Sequence, residues 1–331
     1  MSMMRLRVLA LVGGAAALGA LGGCDLDSGP SATRQEQIEE RWAQLNPSHA
    51  GQYYLSSDAP LLSAPYHAGT LDPAFLADAL NMANFARFLA YLPDDLVTDF
   101  TLTEQSQHGA LLLYLAGTLD RDPDQPVGMS LEDYNLGLAG LDFGLLYGIT
   151  GSLAQALQEG WLLDLPQSPI FLGHRRMVLN PALQEVGFGY IDGYAVMQAW
   201  DTSRVETVDY PYVAWPSAEA FPVEFFPAGT AWCLSLNPTP YNAPTDGAAT
   251  VTLTRVATST SWTLSAGDNT ATEEYFDVDP TAYGIANCII FRPDSTATYA
   301  DGEQSQVHVS GLSPKAGGVT TLEYETRFFS L

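Results

Sequence analysis

The sequence predicts an α+β protein, with helices and a few short strands in its first half and only strands in its second. Three observations carry that prediction. Apolar residues recur at helical spacing, between proline and glycine stops, as far as Leu163. Two short apolar runs, Val186–Tyr190 and Tyr194–Trp200, flank the turn Ile191-Asp192-Gly193. From about Asp209 the helical period vanishes, and short alternating runs separated by Pro, Asn and Gly replace it.

In chain order, Met1 to Arg7 carries Arg5 and Arg7 and no acid, and Val8–Leu21 is an apolar run of 14 residues. A hydrocarbon core needs about 20. A basic start, a short apolar run and a small-residue end make a secretory signal over residues 1–23. The end, Leu21-Gly22-Gly23-Cys24, resembles the lipobox of bacterial lipoproteins. That resemblance implies cleavage before Cys24, diacylglycerol on its thiol, and a membrane anchor at the bacterial cell envelope. The alternative is an ordinary signal with a chance cysteine. Residues 24–45 read as a tether followed by a short helix over Arg34–Leu45, and Asn46 to Thr70 as ordered coil. Asp72-Pro73 opens the next helix, an acid cap before proline at the first helical position. A second long helix covers Thr103 to Ala116 and stops at Gly117, and a third covers Ser152–Leu163. Beyond Asp209, Thr250–Val256, Ser261–Leu264, Gln306–Val309 and Thr321–Arg327 read as strands of an immunoglobulin-like sandwich. The expected domains are therefore 46–208 and 209–331.

The formal charge is −25, and loss of Arg5 and Arg7 with residues 1–23 takes it to −27; Lys315 is the only lysine. Such a surface repels nucleic acid and anionic head groups, so neither is an expected partner of the general surface. With Cys24 assigned to lipid, Cys233 and Cys288 remain, in an oxidising compartment. Both lie in strand-like runs, so an intersheet disulfide is expected, against the alternative of two buried free thiols. Closing that loop would stabilise by about 4 kcal/mol.

Gly173-His174-Arg175-Arg176-Met177-Val178-Leu179-Asn180-Pro181, followed by Glu185-Val186-Gly187-Phe188-Gly189, resembles a signature of the CAP superfamily. That group holds the cysteine-rich secretory, venom-allergen and plant pathogenesis-related proteins and many bacterial secreted proteins. Leu80-Asn81 with Asn84-Phe85-Ala86-Arg87 is similar to its first-helix pattern, and Gln107 to Leu113 to its second helix. The likeness spans about residues 66–205, and the trailing half is similar to the β-domain of some bacterial members. It implies an α-β-α sandwich and, in some members, a cleft where two histidines and two acids hold a divalent metal. Carried over residue by residue, His174 matches the downstream histidine. The upstream one should stand directly before Ala110, and His108 is displaced from that place by one. The Gly-Glu-Asn acid falls at Gly144-Leu145-Leu146, where there is no carboxylate, and Glu159 and Asp164 bracket the place of the second acid.

His174 is therefore open to three readings: metal ligand, general base, or structural residue at a helix–strand junction. The missing partners favour the last. His108 reads as a satisfied helix residue, and His49, His67 and His308 as solvent-facing. Arg175 and Arg176 are expected to pin the junction through carboxylates, and Trp161, Trp200, Trp215 and Tyr194 to pack in the core or between domains. There is no Gly-x-Ser-x-Gly elbow. The leading expectation is a non-catalytic binding or scaffolding module, without a confident cofactor, meeting an unknown protein or small apolar ligand. A hydrolase using His174 with Glu159 or Asp164, or an apolar-ligand carrier, are the alternatives.

Overall fold

The computed structural model describes residues 32–45, 51–148, 150–165, 170–270, 272–315 and 318–331. The signal, Cys24 and His49 lie outside them. The chain is α+β, with helices and a mixed sheet before residue 200 and two further sheets after it.

Helix α1 spans Arg34–Leu45, as expected. Helix α2 (Pro73–Leu89) starts where Asp72 accepts a hydrogen bond from the Ala74 amide, with proline at the first turn. Strand β1 (Val97–Thr98) leads into α3 (Phe100–Ala116). This helix begins three residues before the expected Thr103 because Asp99, not Thr103, supplies the cap, and it ends on Gly117 in the left-handed region. Helix α4 (Leu131–Asp142), capped by Ser130, and strand β2 (Gly144–Tyr147) were not foreseen. After α5 (Leu153–Gln155) the chain widens to π-helical pitch over Ala156–Leu162, where bare Gly160 sits against the Tyr147 ring. Helix α6 (Gly173–Val178) carries the Gly-His-Arg-Arg run, and β3 (Glu185–Ile191) and β4 (Tyr194–Gln198) form the expected hairpin.

The first sheet runs β1-β3-β4-β2. Alternation along β3 sorts its neighbours. Gly187 and Gly189 face α3, so closely that a Cβ at Gly189 would lie 2.0 Å from the Ser106 carbonyl oxygen. Tyr190, of the opposite parity, meets Phe75 of α2 with ring centroids 5.3 Å apart.

The β half holds a four-stranded and a five-stranded sheet. The first comprises β5 (Tyr212–Trp215), β7 (Trp232–Leu236), β10 (Tyr275–Asp279) and β11 (Cys288–Arg292). The second comprises β6 (Glu219–Pro222), β8 (Thr250–Arg255), β9 (Thr260–Leu264), β12 (Gln304–Ser310) and β13 (Leu322–Phe329). Rings from both sheets meet between them: Trp232 lies 5.9 Å from Phe328, and Tyr212 stacks on Tyr324 at 5.8 Å. One hydrophobic cluster runs from Ile38 and Phe75 through Trp161 and Trp215 to Phe329, and Thr33–Leu331 forms one compact unit.

The two cysteines correct an expectation. Cys233 pairs in register with Ile290, and Cys288 with Ser235, on adjacent strands of the same sheet. They are diagonal neighbours, a placement in which Cα atoms stand about 7–8 Å apart, beyond the usual bridging range. Both thiols are buried and free rather than joined between sheets. Hydrogen bonding to Cys288 and the charge of Arg175 hold the Cys233 thiol below its ordinary range, while burial pushes Cys288 up.

Trp200 is the second correction. Trp161 and Trp215 are fully buried, but Trp200, two residues past the end of β4, is 52 % exposed.

Candidate functional site

A cleft of about 690 Å³ opens between the coil before α2, the N-terminal half of α3 and the first turns of α4. Local chemistry places each wall. Asp99 accepts from the Leu102 amide at 2.8 Å and orients α3. Ser130 Oγ accepts from the Asp133 amide at 3.0 Å and donates back to its carboxylate at 2.7 Å, fixing α4. The two helices then approach through glycine: a Cβ at Gly140 would lie 2.1 Å from the Gln105 carbonyl oxygen. That approach sets His108 beside Asp133, with Nε2 and Oδ1 3.4 Å apart. His108 Nδ1 donates to the Glu104 carbonyl at 2.9 Å, so Nε2 is left as the ring's outward-facing atom.

Across the cleft, His67 Nε2 lies 2.6 Å from Asp58 Oδ1, and Thr70 donates to the other carboxylate oxygen at 2.5 Å. Those bonds, Thr70 first and then His67, hold the Asp58 carboxyl below the usual carboxylate range. The coil is fastened to the helix by Gln107, which sequence reasoning gave no role. Its amide donates to the carbonyls of Ala68 at 2.8 Å and Tyr190 at 3.2 Å, and its oxygen accepts from the Tyr190 amide at 2.8 Å. The residue directly before Ala110 is Gly109, which packs against Leu141 of α4 at 3.2 Å from its would-be Cβ. The place where the resemblance puts a histidine is therefore a helix contact.

His174 belongs to a different, smaller cleft of about 220 Å³ with Asp164, Phe171 and Tyr283. Its Nδ1 lies 3.3 Å from Asp164 Oδ1, and its backbone amide donates to Asp164 Oδ2 at 2.8 Å. Of the two acids proposed for His174, Asp164 is beside it; Glu159 is exposed and takes its hydrogen bond from Gln155 at 2.9 Å. His108 and His174 thus line separate clefts, each with a ring nitrogen within 3.4 Å of one carboxylate. Among the described residues no three His, Cys, Asp or Glu side chains converge. This donor set does not fit the three or four ligands a tightly held divalent metal requires.

The rest of the signature works as a joint. Arg175 is fully buried and donates to backbone carbonyls of Leu162 at 2.5 Å, Leu163 at 2.8 Å and Ala231 at 2.7 Å. These are carbonyls rather than the expected carboxylate; the nearby Asp164 accepts instead from the backbone amides of His174 and Arg175. Arg176 does find one: Asp279 at 2.5 Å, with the carbonyls of Thr281 at 2.6 Å and Ile285 at 3.0 Å. The Asn180 carbonyl accepts from Arg87 of α2 at 2.8 Å, and its side chain caps the Ala182 amide at 3.1 Å in the turn after Pro181. His67 and His308 stand toward solvent beside Asp58 and Glu323.

Sequence reasoning missed an aromatic ridge beside His174. Phe171, Tyr283, Trp200 and Phe143 follow one another with centroid steps of 5.1, 5.6 and 6.2 Å. The four come from distant parts of the chain, so no local pattern could have marked them. No known family's sequence model matches the chain, and neither a curated protein nor a solved structure does.

Proposed function

We propose that the chain is a lipid-anchored binding module of the bacterial cell envelope, with a CAP-like α-β-α first half and an immunoglobulin-like sandwich behind it. The CAP-like reading draws support from the way the quoted motif residues meet. Arg87 reaches the Asn180 carbonyl, and Gly187 and Gly189 admit α3 onto the sheet. The anchor rests on Leu21-Gly22-Gly23-Cys24; Cys24→Ala should move the protein from membranes to the soluble fraction.

The observation that carries the binding role is the cleft over α3. At about 690 Å³ it falls within the range of small-molecule seats, about 300–1,000 Å³. Half-buried Leu76 and Leu136 offer an apolar floor, and Glu104, Glu132 and Asp133 an acidic rim. The ligand class that fits is a small molecule with an apolar body and a cationic or donor-bearing head. Nile red, a neutral apolar dye, should brighten on saturable binding, and Leu136→Arg should abolish the response. A dye response absent from the wild type, or unchanged in the variant, rules the seat out.

A hydrolase is the second reading, favoured by the His174–Asp164 pair, which leaves Nε2 free. Esterase and peptidase screens of wild type against His174→Ala decide it: a loss of about 100-fold or more establishes the enzyme.

A further inference from the structure

The ridge beside His174 is a surface with unspent chemistry. Phe171 is 43 % exposed, Trp200 52 % and Phe143 55 %, and the half-buried Tyr283 ring stands between the first two. Two small clefts lie along the ridge. One, of about 220 Å³, has Phe171 and His174 in its wall; the other, of about 240 Å³, has Trp200, Asn180 and Asp201. Adjacent rings are tilted by 63° and 80°, so they form a herringbone of notches and share no stacking plane.

The polar groups along the ridge sort by type. Trp200 Nε1, Tyr283 Oη and Asn180 Nδ2 have no hydrogen-bond partner among the described residues; the Asn180 oxygen caps Ala182. The carboxylates already accept from the protein, without a cation among the described residues to neutralise their charge. Asp164 takes the His174 amide and imidazole, and Asp201 takes the Gln184 and Glu185 amides and both polar groups of Ser203. The ridge therefore offers donors to a ligand rich in acceptors, and it carries net negative charge.

We infer that this ridge binds a proline-rich, basic peptide segment in the polyproline II conformation. Such a backbone makes no internal hydrogen bonds, so its carbonyls are free to accept from indole, phenol and amide donors. Its threefold repeat returns a side chain to the same face about every 9 Å. The two centroid steps from Phe171 over Tyr283 to Trp200, 5.1 and 5.6 Å, put the outer rings at most about 11 Å apart, so one such turn spans the three rings. Asp164 and Asp201, one in each cleft, complement an arginine or lysine on the peptide, as does the chain's charge of −25. A glycan fits less well, because successive sugar rings need a common aromatic plane, which tilts of 63° and 80° deny.

The test is fluorescence anisotropy with a labelled synthetic peptide of Pro-Pro-x blocks carrying an arginine at each end. Saturable binding in the micromolar range is expected, weakened about tenfold or more by Trp200→Ala and about threefold by Tyr283→Phe. Tyr283→Phe removes only the hydroxyl and should leave the melting temperature unchanged. Glutamate in place of both peptide arginines should abolish binding. The proposal fails if the wild type does not bind at millimolar peptide, or if Trp200→Ala binds equally well. It also fails if soluble chitohexaose or cellohexaose binds at Trp200 in the peptide's place.

Discussion

Where α3 lies on β3 and α4, the contact is made by residues that have no side chain; where the two β-sheets face each other, it is made by rings. Gly187 and Gly189 let the α3 backbone come down onto the strand, and Gly137 and Gly140 admit it to α4. In the other half, Phe226, Trp232, Tyr299 and Phe328 fill the space between sheets with centroids 4.5–5.9 Å apart. One half is bounded by how near two backbones can approach, the other by how much volume must be filled. The first should suffer from atoms added and the second from atoms removed.

The largest effect should come from the aromatic side. Trp232→Ala empties a fully buried site and should cost about 4 kcal/mol by chemical denaturation. Gly189→Ala adds one methyl against the Ser106 carbonyl and should cost about 3 kcal/mol, while Ala110→Gly on the same helix should cost only about 1. If Gly189→Ala were neutral, close approach would not be what organises the helical half.

The joint between the halves gives the next test. Asp279→Ala strands the buried Arg176 guanidinium and should cost about 3 kcal/mol. Burial pushes the Asp279 carboxyl up, but hydrogen bonds from Thr281 and Arg176 outweigh it and leave it below the usual value. A depressed carboxyl stabilises the fold above its unfolded value and loses that contribution as pH falls through its folded one. Wild type should therefore lose stability below about pH 4 more steeply than Asp279→Asn, as read by melting temperature against pH. The smallest effect should be on the ridge: Trp200→Ala should change stability by about 0.5 kcal/mol or less, since the indole is half exposed.

The same contrast decides what could be read in the sequence. Helices α2 and α3 announce themselves through Asp72, Pro73 and Gly117, whose conformational preferences are local. Helix α4 does not: its Gly137 and Gly140 look like breakers in the chain and become contacts only once α3 lies across them. Strands β8, β9, β12 and β13 alternate visibly, having one wet face, whereas β7 and β11 are buried on both and reveal only their apolar runs. The histidines could be named from motif likeness, but not the fact that His108 and His174 open into separate clefts. That depends on which face of α3 the glycines press down. The diagonal placement of Cys233 and Cys288 likewise depends on strand register, which neither run specifies alone.

Residues 175 and 176 are covalent neighbours on a six-residue helix of the first half, yet both guanidinium groups find oxygens in the second. Replacing the second half with a foreign one would leave the Arg176 guanidinium without Asp279, and replacing the first would leave that carboxylate without its cation. Such chimeras should accumulate in inclusion bodies, and the two halves should pass through evolution as a single heritable block.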